Sequence, residues 1–145
     1  MKISTRGRYA LRIMAELANA QPNEYISLNT LSERQSISQK YLEQIVPLLT
    51  RAGFVRSVRG NKGGYTLTKN PNDITIGDIL RATEGSLAPV PCLELEKNTC
   101  EKASTCSALK IWSGLYDTIN NYLNGITLRQ VADDITDPLI DNYCI

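Results

Sequence analysis

The sequence predicts a mainly α-helical fold with one small β-hairpin. Three observations predict it. Apolar residues recur at helical spacing in several separate segments. Only one pair of short alternating segments reads as strands, and a glycine-rich turn joins them. A length of 145 residues, 42% of them hydrophobic, is one domain's worth of chain and can bury a core without disulfide staples.

The first helix is placed from about Thr5 to Ala20, capped by Ser4 or Thr5. Tyr9, Ile13, Ala15, Leu17 and Ala18 lie on its apolar face, which Leu11 and Met14 widen. Gln21-Pro22-Asn23 ends it. Leu28 to Gln35 forms a second helix capped by Ser27, with Leu28 and Leu31 inward. After the turn Ser36-Ile37-Ser38, Ser38 caps a third helix, in which Leu42, Ile45, Val46 and Leu49 follow the i, i+3, i+4, i+7 rule. Pro47 falls inside it and is expected to kink it or displace one hydrogen bond, and Gly53 is its stop. Two short helices with so tight a joint are a helix-turn-helix.

Phe54–Arg59 and Tyr65–Lys69 then read as strands around the turn Gly60-Asn61-Lys62-Gly63-Gly64. A hairpin directly after a recognition helix is a wing, so the fold class sharpens to a winged helix-turn-helix domain over residues 1–84, with the wing at about 54–69. A fourth helix runs from the Ile74-Thr75-Ile76 lead to about Ala82 and packs back on that core through Ile76, Ile79 and Leu80. Residues 85–106 lack periodicity and form a loop. Residues 107–145 hold a long helix, Ser107 to about Asn124, then a short segment capped by Thr127 and an acidic tail. Ala108, Leu109, Trp112, Leu115, Tyr116, Ile119, Tyr122 and Leu123 make one wide apolar stripe on the long helix. The preceding elements already suffice for a small core, so this helix is expected to serve an isologous homodimer. Leu128 and Val131 are expected to pack across that contact, and the stretch Asp133–Pro138 to be weakly ordered.

The net charge of +1 conceals a division. Residues 1–70 carry 11 Lys/Arg against 4 Asp/Glu; residues 71–145 carry 5 against 11. A basic half of net +7 and an acidic half of −6 point to nucleic-acid contact by the first. In a helix-turn-helix the second helix presents its N-terminal residues to the major groove, here Ser38, Gln39, Lys40, Tyr41, Glu43 and Gln44. Gln can bond an adenine edge, Glu can accept from cytosine, and Ser can do either. At the wing tip Arg59 suits the narrow minor groove and Lys62 a phosphate. The turn lacks the GxxxxGK[ST] pattern of a phosphate-binding loop and joins two strands rather than opening a helix.

Other classes fall away. The chain has no histidine, which removes His-based acid–base and nucleophilic chemistry, and no acid, base and nucleophile constellation points to an enzyme. No apolar run reaches the ~18–20 residues of a membrane helix. Arg residues interrupt what would be a signal peptide's apolar stretch in MKISTRGRYALR, so a cytoplasmic location is expected. Four cysteines lie in the acidic half. Cys92, Cys100 and Cys106 are spaced x7 and x5, which is not the knuckle of a structural zinc site. Their Pro, Glu, Lys, Asn, Thr and Ser neighbours are not a core setting. They read as a cofactor or redox site, thiolates being the usual ligands of iron–sulfur clusters.

The segments KISTRGRYALRIM, LSERQSIS, QKYLEQIVPLL, SVRGNKGGYTLTK and ITIGDIL, followed by the cysteine loop, resemble the IscR/NsrR/CymR family of bacterial regulators from Met1 to about Ala132. The resemblance implies a cytoplasmic, dimeric winged-helix transcription factor that binds double-stranded DNA at a near-palindromic operator. In the IscR branch three loop cysteines bind a [2Fe–2S] cluster that changes DNA-site preference. Carried over by position, the cluster ligands are Cys92, Cys100 and Cys106. DNA contacts fall on Ser38, Gln39, Tyr41, Glu43 and Gln44, and on Arg59 and Gly60 in the wing. Two departures stand out. The IscR-like fourth ligand, a His three residues after the last cysteine, is Leu109 here, and the acidic residue that NsrR-like members use near the start of the first helix is Arg8. Cys144, Ser107, Glu101, a carboxylate of the partner subunit or a small molecule remain as candidates for the fourth position. Two other readings stay open: a cluster-free sensor of nitric oxide or thiol oxidation, and a regulator controlled by a partner protein, as in the CymR branch.

Overall fold

The computed structural model describes residues 1–136. The helices in order are α1 (Thr5–Ala18), α2 (Leu28–Gln35) and α3 (Gln39–Arg51), then α4 (Ile76–Glu84), α5 (Leu109–Asn124) and α6 (Leu128–Thr136). Between α3 and α4 stand β1 (Val55–Val58) and β2 (Gly64–Leu67), an antiparallel pair in which Val55 faces Leu67 and Val58 faces Gly64. None of the described helices is long and apolar enough to cross a membrane.

Helix α1 is the axle. Ser4 caps it by accepting from the Gly7 N–H at 3.2 Å. It ends at Ala18, two residues short of the expected Ala20, because the Asn19 N–H closes onto the carbonyls of Ala15 and Glu16. Helices α2, α3, α4 and α6 and strand β2 all pack on it, so burial exceeds one stripe. Ala10, Ile13, Met14 and Ala15 are fully buried, whereas Tyr9 and Leu11 are only half-buried at the edge of the core. Ala10 was absent from the expected face; small size lets α1 approach its neighbours closely there.

The helix-turn-helix forms as expected. Ser27 accepts from the Thr30 N–H and Ser38 from the Tyr41 N–H. Between them Ser36 takes the left-handed conformation at φ 52°, and the Ser32 hydroxyl donates to the Ile37 carbonyl at 2.6 Å, closing the turn. Leu31, Leu42, Ile45 and Leu49 are fully buried, which locks α3 against the axle. Pro47 stands inside α3 on its exposed side without ending the helix.

The hairpin is held at its base. The Tyr65 N–H donates to the Ile26 carbonyl at 2.8 Å, and the Ile26 N–H donates back to the Tyr65 carbonyl at 3.0 Å, so the segment before α2 adds a third, one-residue strand. Gly64 is what permits this. At φ 157° a side chain is strained, and a Cβ there would lie 2.5 Å from the Ile26 carbonyl carbon.

Past the wing, Thr75 and Asp78 form a capping box that starts α4. Burial pushes the Asp78 carboxyl up, but bonds from Thr75 and the Arg81 guanidinium outweigh it and leave its pKa below the ordinary carboxylate value. Arg81 also donates to Asn120 at 3.2 Å and Asn124 at 2.6 Å, tying α4 to α5. Residues 85–108 are loop with two short 3₁₀ turns, Pro91–Leu93 and Ala103–Thr105, pinned near its start by the buried Leu87.

Two sequence expectations for the C-terminal part are corrected. Leu128 does not wait for a second chain. It is fully buried in its own core, as is Ala132. The segment before it pairs with the lead into α4, through the Ile76 N–H to Ile126 and the Leu128 N–H to Ile74. Arg129 then donates to the Ala18 carbonyl at 3.0 Å and to Asn19 at 2.6 Å, capping the end of α1. Nor is the acidic stretch loose where it is described: Asp133 to Thr136 complete α6, with Asp133 paired to Arg129 at 2.9 Å. Asp137 and Pro138 lie outside the described residues.

Candidate nucleic-acid interface and cysteine loop

Ser38, Gln39, Lys40, Glu43 and Gln44 are all exposed at the start of α3. Their side chains are not equivalent. Ser38 is occupied as the helix cap, though its hydroxyl proton stays available. The Gln39 amide donates to Asn29 on α2 at 2.6 Å. Tyr41 is half-buried: its ring meets Tyr9 of α1 edge to face, 5.4 Å between centroids. The Arg12 guanidinium lies 5.5 Å from the Tyr9 ring centroid. The tyrosine that sequence placed among the DNA contacts therefore also fixes how α3 sits on α1.

A polar brace that the sequence did not announce sets the pose of α2. Glu16 accepts from Arg34 and from Gln35, each at 2.8 Å, while Arg12 donates to the Gln35 side chain and carbonyl. The hydrogen bond and charge of Glu16 raise the Arg34 pKa. Helical spacing puts Arg12 and Glu16 four residues apart on α1. Nothing in the linear sequence shows that Arg34 and Gln35 lie opposite them.

The wing brings Arg59, Gly60 and Lys62 to one exposed turn, closed by the Gly63 N–H on the Gly60 carbonyl at 2.9 Å. Among the described residues neither Arg59 nor Lys62 is in an ion pair. By contrast, Arg56 leans over the Tyr25 ring and Lys69 over Phe54. A cleft of about 510 Å³ between α3 and the wing joins Glu43 and Pro47 to Ser57 and Tyr65. The two predicted DNA-facing elements thus share one side of the fold. Lys62→Ala is expected to lower the slope of log affinity against log salt by about one unit, with little change in sequence preference. Arg59→Ala is expected to lose affinity and preference for A·T-rich minor grooves. Binding titrations over a salt series check both, and an unchanged slope and affinity would remove these residues from the interface.

The three loop cysteines are free thiols, Cys92 half-buried in the first 3₁₀ turn, Cys100 and Cys106 exposed. The Cys100 N–H is held by Asn98 at 2.9 Å, and Cys106 ends the second 3₁₀ turn just before α5. Glu94, Glu96 and Glu101 are exposed along the same loop. As a donor set, three thiols without histidine fit an iron–sulfur cluster better than a hard cation. Their placement is looser than their chemistry: among the described residues no three His, Cys, Asp or Glu side chains converge as a metal-binding group. Leu109 opens α5 as a half-buried residue, and Cys144 lies outside the described residues.

The profile of the Rrf2 family, described as an iron-dependent transcriptional regulator, matches residues 3–134. The HTH-type transcriptional regulator CymR of Bacillus subtilis is 40% identical over 132 residues, covering 91% of this chain and 90% of that one. The HTH-type transcriptional regulator IscR of Pectobacterium atrosepticum is 37% identical over 134 residues, covering 92% of this chain and 80% of that one. Among solved structures, that of CymR, the global cysteine regulator of B. subtilis, superposes with a TM-score of 0.72 at 38% identity, over 92% of this chain and 97% of that chain.

Proposed function

This chain belongs to the Rrf2 family of transcriptional regulators, and we propose that it is a cytoplasmic homodimer whose DNA binding responds to a [2Fe–2S] cluster held by Cys92, Cys100 and Cys106. The observation that carries the sensing half is the loop itself. Three thiols fall within fifteen residues, in a segment that runs from the end of α4 to the start of α5. A change in that segment pulls on both helices, and Arg81 couples them through Asn120 and Asn124.

The DNA half uses Ser38, Gln39, Tyr41, Glu43 and Gln44 of α3 in the major groove. Arg59, Gly60 and Lys62 reach the neighbouring minor groove and phosphates. Two such modules related by a two-fold axis read a near-palindrome. The cluster, when bound, supplies a redox-sensitive charge and a covalent tie between distant points of the loop. The chain's own residues hold it with three thiolates. The fourth position falls to Cys144, to Ser107 or Glu101, to a carboxylate of the second subunit or to a small molecule.

Anaerobic reconstitution with iron and sulfide tests this. The expected result is visible absorption with about two iron and two sulfide per chain, and a changed shift of operator DNA. Cys92→Ala is expected to lose both the absorption and the change. No absorption in the wild-type chain, with Cys92→Ala indistinguishable from it, would overturn the cluster reading.

A second reading has an observation of its own. Cys100 and Cys106 are exposed, as a thiol that meets an oxidant directly must be, and one solved relative, CymR of B. subtilis, is a global cysteine regulator. That reading predicts altered DNA affinity on treatment of metal-free protein with peroxide or a nitric oxide donor. Control by a docked partner protein predicts neither effect.

A further inference from the structure

One surface network fixes the orientation of a side chain whose orientation matters. Glu33 on α2 accepts from the Asn29 amide nitrogen at 2.7 Å, and Asn29 Oδ1 accepts from Gln39 Nε2 at 2.6 Å. A carboxylate has no proton to give. It therefore turns the Asn29 nitrogen toward itself and the Asn29 oxygen toward α3. That oxygen in turn demands an N–H from Gln39. The Gln39 amide is left with Oε1 and one N–H unused at the first residue of the recognition helix.

We propose that Asn29 and Glu33 are positioning residues that set the polarity of the Gln39 amide and thereby make it select adenine over guanine at the base pair it meets. The chemistry follows from the base edges. Adenine offers a donor at N6 and an acceptor at N7, matching an amide that presents one acceptor and one donor. Guanine offers two acceptors, O6 and N7. A flipped Gln39, its oxygen spent on the neighbour, presents only donors and suits guanine. Glu33, remote from the base itself, decides between the two through two hydrogen bonds. The residues are exposed, so the network contributes selectivity and little to stability.

This inference rests on the reading of α3 as the DNA-contacting helix, and its test separates the two. Full-length protein is used to select duplexes from a randomised library, and the selected duplex is then titrated with A·T or G·C at each position. Wild type is expected to prefer adenine over guanine by about tenfold at one position per half-site. Gln39→Ala is expected to lose that preference. Glu33→Lys reverses the relay, because an ammonium donates to the Asn29 oxygen and turns its nitrogen to Gln39. It is expected to shift the preference toward guanine at that same position and no other. The double variant Asn29→Asp with Glu33→Gln rebuilds a carboxylate acceptor for Gln39 at unchanged total charge. It is expected to restore adenine. A merely structural role would move affinity at every position together. If Gln39→Ala leaves every preference intact, Gln39 meets no base and both readings of it fail. If Gln39→Ala loses the preference while Glu33→Lys keeps the wild-type preference for adenine, the relay alone is overturned.

Discussion

Leu115→Glu on α5 is expected to cost more operator affinity than any single substitution in α3 or the wing, although Leu115 touches no DNA in the proposed complex. Helix α5 has no buried residue in the single chain. Its apolar residues do not all face the same way. Tyr116 and Leu123 pack against the core, while Ile111, Trp112, Leu115 and Tyr122 face outward, between 37% and 68% exposed. A chain that leaves four large apolar residues on one helix is suited to cover them with a second copy, and a two-fold contact sets two recognition helices for two half-sites. A charge buried in that contact has no partner, so the dimer is expected to dissociate. Each freed chain then holds one half-site, and affinity falls toward the range of nonspecific binding, a loss on the order of a thousandfold. Sedimentation of the variant should show single chains, and titration of a full operator should give the same weak affinity as a half-site duplex. Trp112 is the chain's only tryptophan, so its emission in the wild type should shift to the blue as concentration rises through the dimer's dissociation constant. A variant that still sediments as wild type and binds the operator with wild-type affinity would remove α5 from the dimer contact.

Much of this architecture was legible in the sequence because local signals and tertiary outcome agree. Ser27, Ser38 and Thr75 are cap residues by type, and each caps a helix. Leu42, Ile45, Val46 and Leu49 share a face by spacing, and all four are buried. The glycine-rich turn lies between strands that the structure pairs. What escaped were facts of juxtaposition. The Glu16 brace joins residues 18 and 19 positions apart, and the Asn29–Gln39 bond crosses from one helix to the next. Neither pair has a periodic signature. Helical spacing puts the α5 stripe on one face, because it counts apolar residues without saying which of them the same chain covers. Ile111, among the most exposed, fell outside that stripe. In the cysteine loop the residue types speak for soft-metal chemistry, while no regular secondary structure converts their spacing into a geometry.

The misplacement of Leu128 supplies the sharpest contrast with Leu115. Placed by spacing alone, Leu128 belongs with the residues that pack across a dimer. In the fold it is fully buried beside Ala132 where α6 lies along α1, and Arg129 closes the same joint on Ala18 and Asn19. Truncation to Ala leaves a cavity in a core that α1 shares with α4 and α3, and a buried leucine truncation costs about 2–5 kcal/mol. For a domain of this size that is a fall in Tm on the order of 10 °C. The fall should be the same at low and high protein concentration, because the lost contacts lie within one chain. Leu115→Glu should do the reverse, lowering Tm chiefly by removing its dependence on concentration. Calorimetry of both variants across a hundredfold range of concentration separates the two leucines. A Leu128→Ala chain that unfolds like wild type when dilute, and differs only when concentrated, would return that residue to the interface.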